Sequence, residues 1–215
     1  MNSVKEYKSA SYKTGKIRKD NEIVIREAAE QEFAEFGFKG ASIMSIAKRA
    51  NVPRPNIHYY FKNKQELYNA VLMDILALWN KAFTEFTAED EPAEAIGNYI
   101  RLKLMYSRCY PTASKIFANE ILQGAPHLNT YLNNDLRVLL AHKTAIIQGW
   151  IDAGKMDAIQ PYYLIFFIWG ATQHYADFGI QIKSALGKEE LSEEDFEEIT
   201  ANLIQIITKG CGLVK

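Results

Sequence analysis

The sequence has few of the features that mark a secreted, membrane-embedded or disulfide-stabilised protein. Its 215 residues include only two cysteines, Cys109 and Cys211, which lie far apart in helical patterns, so we expect reduced, structural thiols and no metal site. The longest apolar run, from Tyr162 to Ala171, is too short to span a bilayer. No basic segment followed by an apolar one opens the chain. We therefore expect a cytoplasmic protein with no membrane partner.

The chain also lacks a large net charge, but its charges are unevenly distributed. Residues 1–64 hold 13 Lys and Arg against 7 Asp and Glu, a net charge of +6, whereas residues 65–215 hold 12 against 19, a net charge of −7. A basic N-terminal third on an acidic body is typical of a nucleic-acid-binding head. A basic solubility tail is the alternative, because residues 5–19 alone carry six positive charges.

Strand-type alternation is missing as well, and helical periodicity with intervening Gly and Pro predicts an all-α fold. After a mobile N-terminal arm, we expect a first helix over about 20–36 that stops at Gly37. A short second helix would follow, capped by Ser42 and ending at Asn51. Asn63 would cap a long helix to about residue 86, and further helices are predicted near 92–109, 111–122, 126–153, 161–187 and 192–212.

The stretch "ANVPRPNIHYYF", residues 50–61, predicts a tight turn followed by a short helix. Prolines at 53 and 55 fall in the first turn of that helix, where a missing N–H costs little. Val52 and Ile57 would pack inward and leave the polar and aromatic side chains outside. Helix, turn and second helix form either a DNA-reading helix-turn-helix or a plain helical hairpin with aromatic core residues, and the residues alone leave both open.

The run "AAEQEFAEFGFKGASIMSIAKRANVPRPNIHYYFKNKQELYNAVL" resembles the TetR family of transcriptional regulators. The matching positions are Phe36, Gly37, Ser42, Ile46, Ala47, Ala50, Val52, Tyr59, Phe61, Lys64 and Leu67. Departures occur at Ala41, Asn51 and Pro53, and in the order of the rings at 58–60. The resemblance implies an N-terminal three-helix helix-turn-helix DNA-binding head and a C-terminal helical body for ligand binding and dimerisation. We place a flexible basic arm at 1–18, the head at 19–79 with its motif at about 42–61, and the body at 80–215.

The same resemblance implies a homodimer that binds an inverted-repeat operator in double-stranded DNA. Tyr59 and Lys64 would contact phosphates, and Arg54 and Asn56 would contact base edges. Ser42 could bond a phosphate, although its capping role alone explains it. The basic arm would reach neighbouring backbone or the minor groove. The expected DNA-binding residues are Ser42, Arg54, Asn56, His58, Tyr59, Tyr60 and Lys64.

Two C-terminal strings, "NYIRLKLMYSRCYPTASKIFANEILQGAPHL" and "LIFFIWGATQHYADF", are similar to the pyrimidine-utilisation repressor subgroup of that family. The similarity implies a repressor with a small, planar, polar effector such as uracil or thymine. Gln173 offers a donor and an acceptor for an amide edge, and tryptophan rings could form walls. The expected ligand-binding residues are Trp79, Trp169, Gln173, His174 and Asp177.

Other interpretations remain open for the body. The tryptophans could be core residues, the effector could be an unrelated small molecule, or the polar cluster could lie in a dimer interface formed by residues 161–187 and 192–212. The apolar face of that interface would lie around Ile204 and Ile207. His174 and Asp177 could suggest an enzyme, or a metal site with Glu120 or His142, but no catalytic or metal-binding motif accompanies them. We therefore expect no enzyme, no metal and no cofactor. A helical adaptor without DNA binding would leave the basic head unexplained.

Overall fold

Helices build every regular element that the computed structural model describes, which covers residues 3–84 and 86–213, with side chains from residue 20 onward. These ranges contain no β-strand, so the all-α prediction is confirmed. No helix within them is both long enough and apolar enough to cross a membrane. The chain divides into two compact units, Met1–Asp74 and Ile75–Lys215. The first helix already begins at Ser3, so its predicted start near residue 20 is wrong. The assignment of residues 1–18 as a basic arm that contacts DNA stays a prediction.

The first unit contains α1 (Ser3–Gly40), α2 (Ile43–Arg49), α3 (Arg54–Tyr60) and the first part of α4 (Lys64–Thr84). Helix α1 is interrupted at Gly37, the predicted stop, whose φ of 67° and ψ of 175° are outside the helical region. Asn63 caps α4 as predicted, because its Oδ1 accepts the backbone N–H of Glu66 at 2.9 Å. The fully buried side chains of this unit include Ile25, Phe33, Ile46, Ile57, Leu67 and Leu72.

The second unit continues from α4 through seven further helices of the described ranges. They are α5 (Pro92–Cys109), α6 (Pro111–Leu122), α7 (Asn129–Asn133), α8 (Asp135–Asp152), α9 (Pro161–Asp177), α10 (Gly179–Leu186) and α11 (Glu193–Gly210). Three of them begin with proline, where no helical N–H is lost. Helix α5 packs against α9 and α11, and α9 also packs against α6 and α8. This arrangement places α9 at the centre of the unit.

Two of the predicted long helices are wrong, because each is divided in the structure. The predicted helix 126–153 begins as a turn, in which Ala125 has a φ of 54° and the backbone N–H of His127 donates to the Glu120 carboxylate at 2.6 Å. A second break separates α7 from α8 at Asn134. The predicted helix 161–187 breaks at Phe178, immediately before Gly179, a residue that disfavours helix.

The expected apolar face around Ile204 and Ile207 is not a free surface. Ile207 is 3% exposed and belongs to the core of its own subunit, and Ile204 packs over Gly97 of α5. The prediction was wrong because Ile207 is a core residue and Ile204 packs against α5. The exposed large apolar side chains of α9 and α11 are Tyr162, Tyr163, Phe166, Phe167 and Ile206.

Candidate nucleic-acid interface and candidate small-molecule site

The turn between α2 and α3 is fixed by local hydrogen bonds. Ser42 caps α2, since its Oγ accepts the backbone N–H of Ser45 at 3.0 Å. Asn51 has a φ of 52°, a left-handed conformation that asparagine tolerates, and the N–H of Val52 then donates to the Ala47 carbonyl at 3.0 Å. The chain therefore reverses within a few residues and starts α3 at Arg54.

Helix α3 buries one side chain and exposes most of the others. Ile57 is fully buried and holds the helix against the first unit's core. Tyr59 is 67% exposed, and its ring meets the half-buried ring of Tyr60 edge-on at 5.1 Å. Arg54, Asn56 and His58 are also exposed. The predicted base-contacting and phosphate-contacting side chains of α3 thus lie on the surface, where a DNA groove could reach them.

Lys64 has a structural role that the sequence did not reveal. Its ammonium donates to the Ala41 carbonyl at 2.9 Å and lies 4.8 Å from the centre of the Phe38 ring. These contacts tie the start of α4 to the segment that follows α1. An ammonium has three donors, so a phosphate contact would have to use what these bonds leave.

The exposed cations near α3 differ in how free they are. Arg49 is paired with Glu35 at 2.8 Å and with the buried Glu32 at 3.3 Å. Among the described residues near α3, Lys48, Arg54 and Lys62 are exposed, and their side chains form no ion pair or hydrogen bond. These three cations are therefore available to an external anion.

The second unit contains a buried lysine that the sequence analysis did not single out. Lys103 of α5 is 7% exposed, and its ammonium lies 5.1 Å from the centre of the Trp79 ring. Burial lowers the pKa of Lys103 to about 8, although the nearby carboxylate of Asp177 opposes this shift. An interior lysine whose pKa lies near neutrality is unusual, and such perturbed groups cluster at functional sites.

Asp177, at the end of α9, faces this lysine from a polar cluster. The Ser114 hydroxyl of α6, which is fully buried, donates to Asp177 Oδ1 at 2.6 Å. Burial raises the pKa of the Asp177 carboxyl, while Ser114, Lys103 and, to a smaller extent, Gln173 counteract it. The carboxylate and the ammonium are thus both pushed toward their neutral forms by the same poorly solvated surroundings.

The two tryptophans predicted to bind ligand have different environments. Trp169 donates its indole N–H to the hydroxyl of the buried Tyr99 at 2.6 Å. Trp79 packs on Tyr106 with ring centres 5.9 Å apart, but its indole nitrogen is buried without a hydrogen-bond partner, the only such side-chain atom in the described part of the chain. Buried polar groups are nearly always bonded, so this N–H is an open position for an acceptor.

The structure brings together some of the predicted ligand-binding residues and separates others. Trp79 and Asp177 both lie beside Lys103, and Gln173 lies near enough to Asp177 to lower the pKa of that carboxyl slightly. His174 is exposed and stacks on Phe178 at 4.8 Å. Trp169 is occupied by its bond to Tyr99 and by ring contacts with Phe83 and Phe166.

Sequence reasoning missed Lys103 and Ser114. A signal for Lys103 was present in the sequence, because three of the four residues three and four positions away, Tyr99, Ile100 and Tyr106, are hydrophobic. A lysine inside such a stripe cannot reach water easily. Ser114 gave no comparable signal, since a buried serine on an amphipathic helix is common.

Glu120 has a structural role instead of a metal-binding one. It is 3% exposed, and its carboxylate accepts both the backbone N–H of His127 at 2.6 Å and a contact from the His127 ring at 3.0 Å. Within the described residues, no group of three or more potential ligands could hold a metal ion. The pair fixes the turn after α6.

A short helix-turn-helix with an exposed polar face, joined to an all-helical unit with a buried polar site, defines a DNA-binding regulator with a sensory unit. The chain belongs to the TetR family. Residues 25–71 match the family model for bacterial regulatory proteins of the tetR family, and residues 72–214 match the model for the C-terminal region of YcdC-like proteins. It is 44% identical over 186 residues to the HTH-type transcriptional regulator RutR of Escherichia coli strain K12, covering 86% of this chain and 88% of that protein.

Solved structures show the same fold at lower identity. The regulator SCO4942 from Streptomyces coelicolor has a TM-score of 0.67 and 21% identity, covering 87% of this chain and 96% of that one. AibR, solved in complex with isovaleryl coenzyme A and operator DNA, has a TM-score of 0.64 and 14% identity, covering 86% and 97%. The chain is thus a TetR-type, ligand-responsive transcriptional regulator that binds DNA, and it is not an enzyme.

Proposed function

We propose that this chain is a repressor that binds an inverted-repeat operator as a homodimer and responds to a small, planar, polar effector, which we take to be a pyrimidine. A dimer with two-fold symmetry imposes that symmetry on its DNA site. The observation that carries the effector part is the buried indole N–H of Trp79, which lacks an acceptor beside the buried Lys103. An effector that binds one state of the dimer better shifts the population that fits DNA.

On the DNA side, Arg54 and Asn56 contact base edges from the first turn of α3. Both are exposed, and their side chains match the bidentate edges of guanine and adenine. Further contacts to the DNA backbone come from four flanking residues, His58, Tyr59, Tyr60 and Ser42. Lys64 adds to phosphate binding through the donor capacity that its bond to Ala41 leaves.

The DNA part is tested by selecting bound duplexes from a random pool and measuring affinity over a salt series. Arg54→Ala should relax the preference at one base position by about 1–3 kcal/mol. Lys48→Ala is the matched control, because Lys48 is another exposed and unpaired cation and should weaken all sequences about equally. If Arg54→Ala lowers the affinity for all DNA sequences equally, Arg54 contacts the DNA backbone and not a base. No binding to any duplex would reject the operator proposal.

On the effector side, the polar groups around Trp79 match the edge of a pyrimidine ring. The Trp79 N–H offers a donor, Gln173 offers both a donor and an acceptor, and Asp177 offers an acceptor. The ring face of Trp79 forms one wall of the site. Trp169 lies farther along α9 as a second aromatic wall, and the exposed His174 borders the site.

A thermal-shift screen of uracil, thymine, amino acids and aromatic acids tests the effector, because a ligand bound only by the native state raises its stability. Trp79→Phe removes the indole N–H and keeps a ring, and Gln173→Leu removes the amide. Both substitutions should reduce the rise in Tm that uracil causes. Trp150→Phe is the matched control, since Trp150 is not assigned to the site and its N–H is already bonded to the Ala88 carbonyl. If only compounds of an unrelated class stabilise the protein, the pyrimidine proposal is rejected, but the chain is still a ligand-responsive regulator.

The proposed dimer forms through α9, α10 and α11. Helix α9 exposes Tyr163, Phe166 and Phe167, α10 exposes Ile180, and α11 exposes Ile206. Large apolar side chains grouped on neighbouring helices mark a protein interface. The four-helix contact that α9 and α11 would form with their copies across a two-fold axis is a common architecture for a dimer core.

A further inference from the structure

The buried Lys103 and the half-buried Asp177 carry opposite charges in the second unit but are not joined. Their charges influence one another, yet no ion pair or hydrogen bond connects them among the described residues. Among the described residues, the Lys103 ammonium has no hydrogen-bond acceptor, and it lies 5.1 Å from the centre of the Trp79 ring. An interior charge without a bonded partner is costly, so its presence requires a reason.

The groups around this pair are divided by type. On one side, the Lys103 ammonium and the neighbouring indole N–H of Trp79 are donors without acceptors. On the other side, the Asp177 carboxylate is an acceptor, and Ser114 fixes its orientation through Oδ1 at 2.6 Å. A guest between them must therefore accept hydrogen bonds on one edge and donate on the adjacent one.

We propose that Lys103 and Asp177 are the specificity-determining pair of the effector site, and that the site takes neutral rings with an imide edge. The inference rests on the proposed effector site and deepens it. A ring carbonyl oxygen accepts from Lys103, with Trp79 as a second donor, and the adjacent ring N–H donates to the Asp177 carboxylate. The effector thereby bridges the two charges that the protein leaves apart.

This geometry selects against two related classes of compound. A carboxylate supplies acceptors but no donor, and it would bring a negative charge next to Asp177. An N-alkylated imide keeps both carbonyl groups but loses the N–H, and so leaves Asp177 without its bond. Glutarimide and N-methylglutarimide form a matched pair for this purpose, since they differ by that N–H and one methyl group.

Calorimetric titration of the full chain at pH 7 with uracil, glutarimide, N-methylglutarimide and benzoate tests the proposal. Lys103→Met should weaken uracil and glutarimide binding by roughly 10- to 100-fold, the effect of losing one charged hydrogen bond. Lys103→Gln retains a donor without the charge and should lose less. Lys115→Met, which removes an exposed lysine of α6, is the control and should stay within about twofold of the wild type.

Asp177→Asn should weaken the binding of uracil and glutarimide. The double variant with Lys103→Met should lose less affinity than the product of the two single fold-changes, because one ligand links both groups. If Lys103→Met binds uracil as the wild type does while Trp79→Phe binds it more weakly, the roles of Lys103 and Asp177 are refuted. The proposed effector site itself would stand. Equal binding of glutarimide and N-methylglutarimide, or preferred binding of benzoate, would overturn the imide class. If no pyrimidine and no imide binds the wild type, the proposed effector fails as well.

Discussion

Replacement of Lys103 by methionine should stabilise the ligand-free protein, although it removes a residue that we assign to binding. Burial lowers the pKa of Lys103 from the ordinary lysine value of 10.5 to about 8, against the attraction of Asp177. At pH 7 the lysine is charged in both the folded and the unfolded state. The lowered pKa then corresponds to a loss of about 3 kcal/mol in the free energy of unfolding.

Part of this loss is offset by the Trp79 ring. The Lys103 ammonium lies 5.1 Å from the ring centre, and such a cation–π contact contributes about 1 kcal/mol. Methionine has a similar length and no charge, so it can fill the same space in the apolar surroundings. The expected gain for Lys103→Met is therefore about 2 kcal/mol at pH 7.

The gain should depend on pH in a defined direction. The folded pKa of Lys103 lies below the unfolded one, so between about pH 8 and 10.5 the unfolded chain binds more protons than the folded protein. The stability of the wild type consequently rises across that window, relative to a variant without the lysine. The difference between Lys103→Met and the wild type should shrink as the pH increases from 8 to 10.5.

Urea unfolding followed by tryptophan fluorescence measures this effect in the relevant unit. The three tryptophans, Trp79, Trp150 and Trp169, all lie in the second unit, and the protein concentration is held constant because of the proposed dimer. Lys115→Met serves as the control and should change the free energy of unfolding by less than about 0.5 kcal/mol. A Lys103→Met variant that is less stable at pH 7, or a difference that does not change with pH, would refute the reasoning.

Three further predictions concern other parts of the molecule. Ser42→Ala should destabilise the first unit by about 1 kcal/mol and Ser42→Gly by only a few tenths, measured by hydrogen exchange in α2; equal losses would argue against the cap. Ala125→Gly should stabilise the protein by up to about 1 kcal/mol in urea unfolding, because Ala125 has a φ of 54°, and a loss of stability would contradict this. Phe166→Glu combined with Phe167→Glu should give folded monomers that do not bind the operator; light scattering that still shows a dimer would place the interface elsewhere.

The parts of the fold that depend on local chemistry could be predicted from the sequence. Ser42 and Asn63 cap their helices, and Asn51 adopts the left-handed turn, because each depends on bonds within a few residues. The start of α7 could not be predicted in the same way. The turn before it is fixed by the carboxylate of Glu120, which belongs to α6, and by the contact of that carboxylate with His127.

The candidate effector site shows the same limit. Periodicity placed Trp169, Gln173 and Asp177 on one helix, but it could not identify the neighbours of each side chain. Trp169 is satisfied by Tyr99, which lies 70 residues earlier in the chain, whereas Asp177 meets Ser114, 63 residues away. Residues of the same helical face thus acquire different roles from the elements that pack against them.

Two buried lysines among the described residues of the second unit show why we assign binding to only one of them. Lys143 is 3% exposed, and burial lowers its pKa, but its ammonium donates to the Phe86 carbonyl and contacts the Phe86 ring at 4.3 Å. A hydrogen bond offsets the cost of burying that charge, so structure alone accounts for it. Lys103 has the ring contact but no acceptor, and it lies beside the unbonded N–H of Trp79. Two unused donors in one place point to a missing acceptor, and a bound effector supplies it.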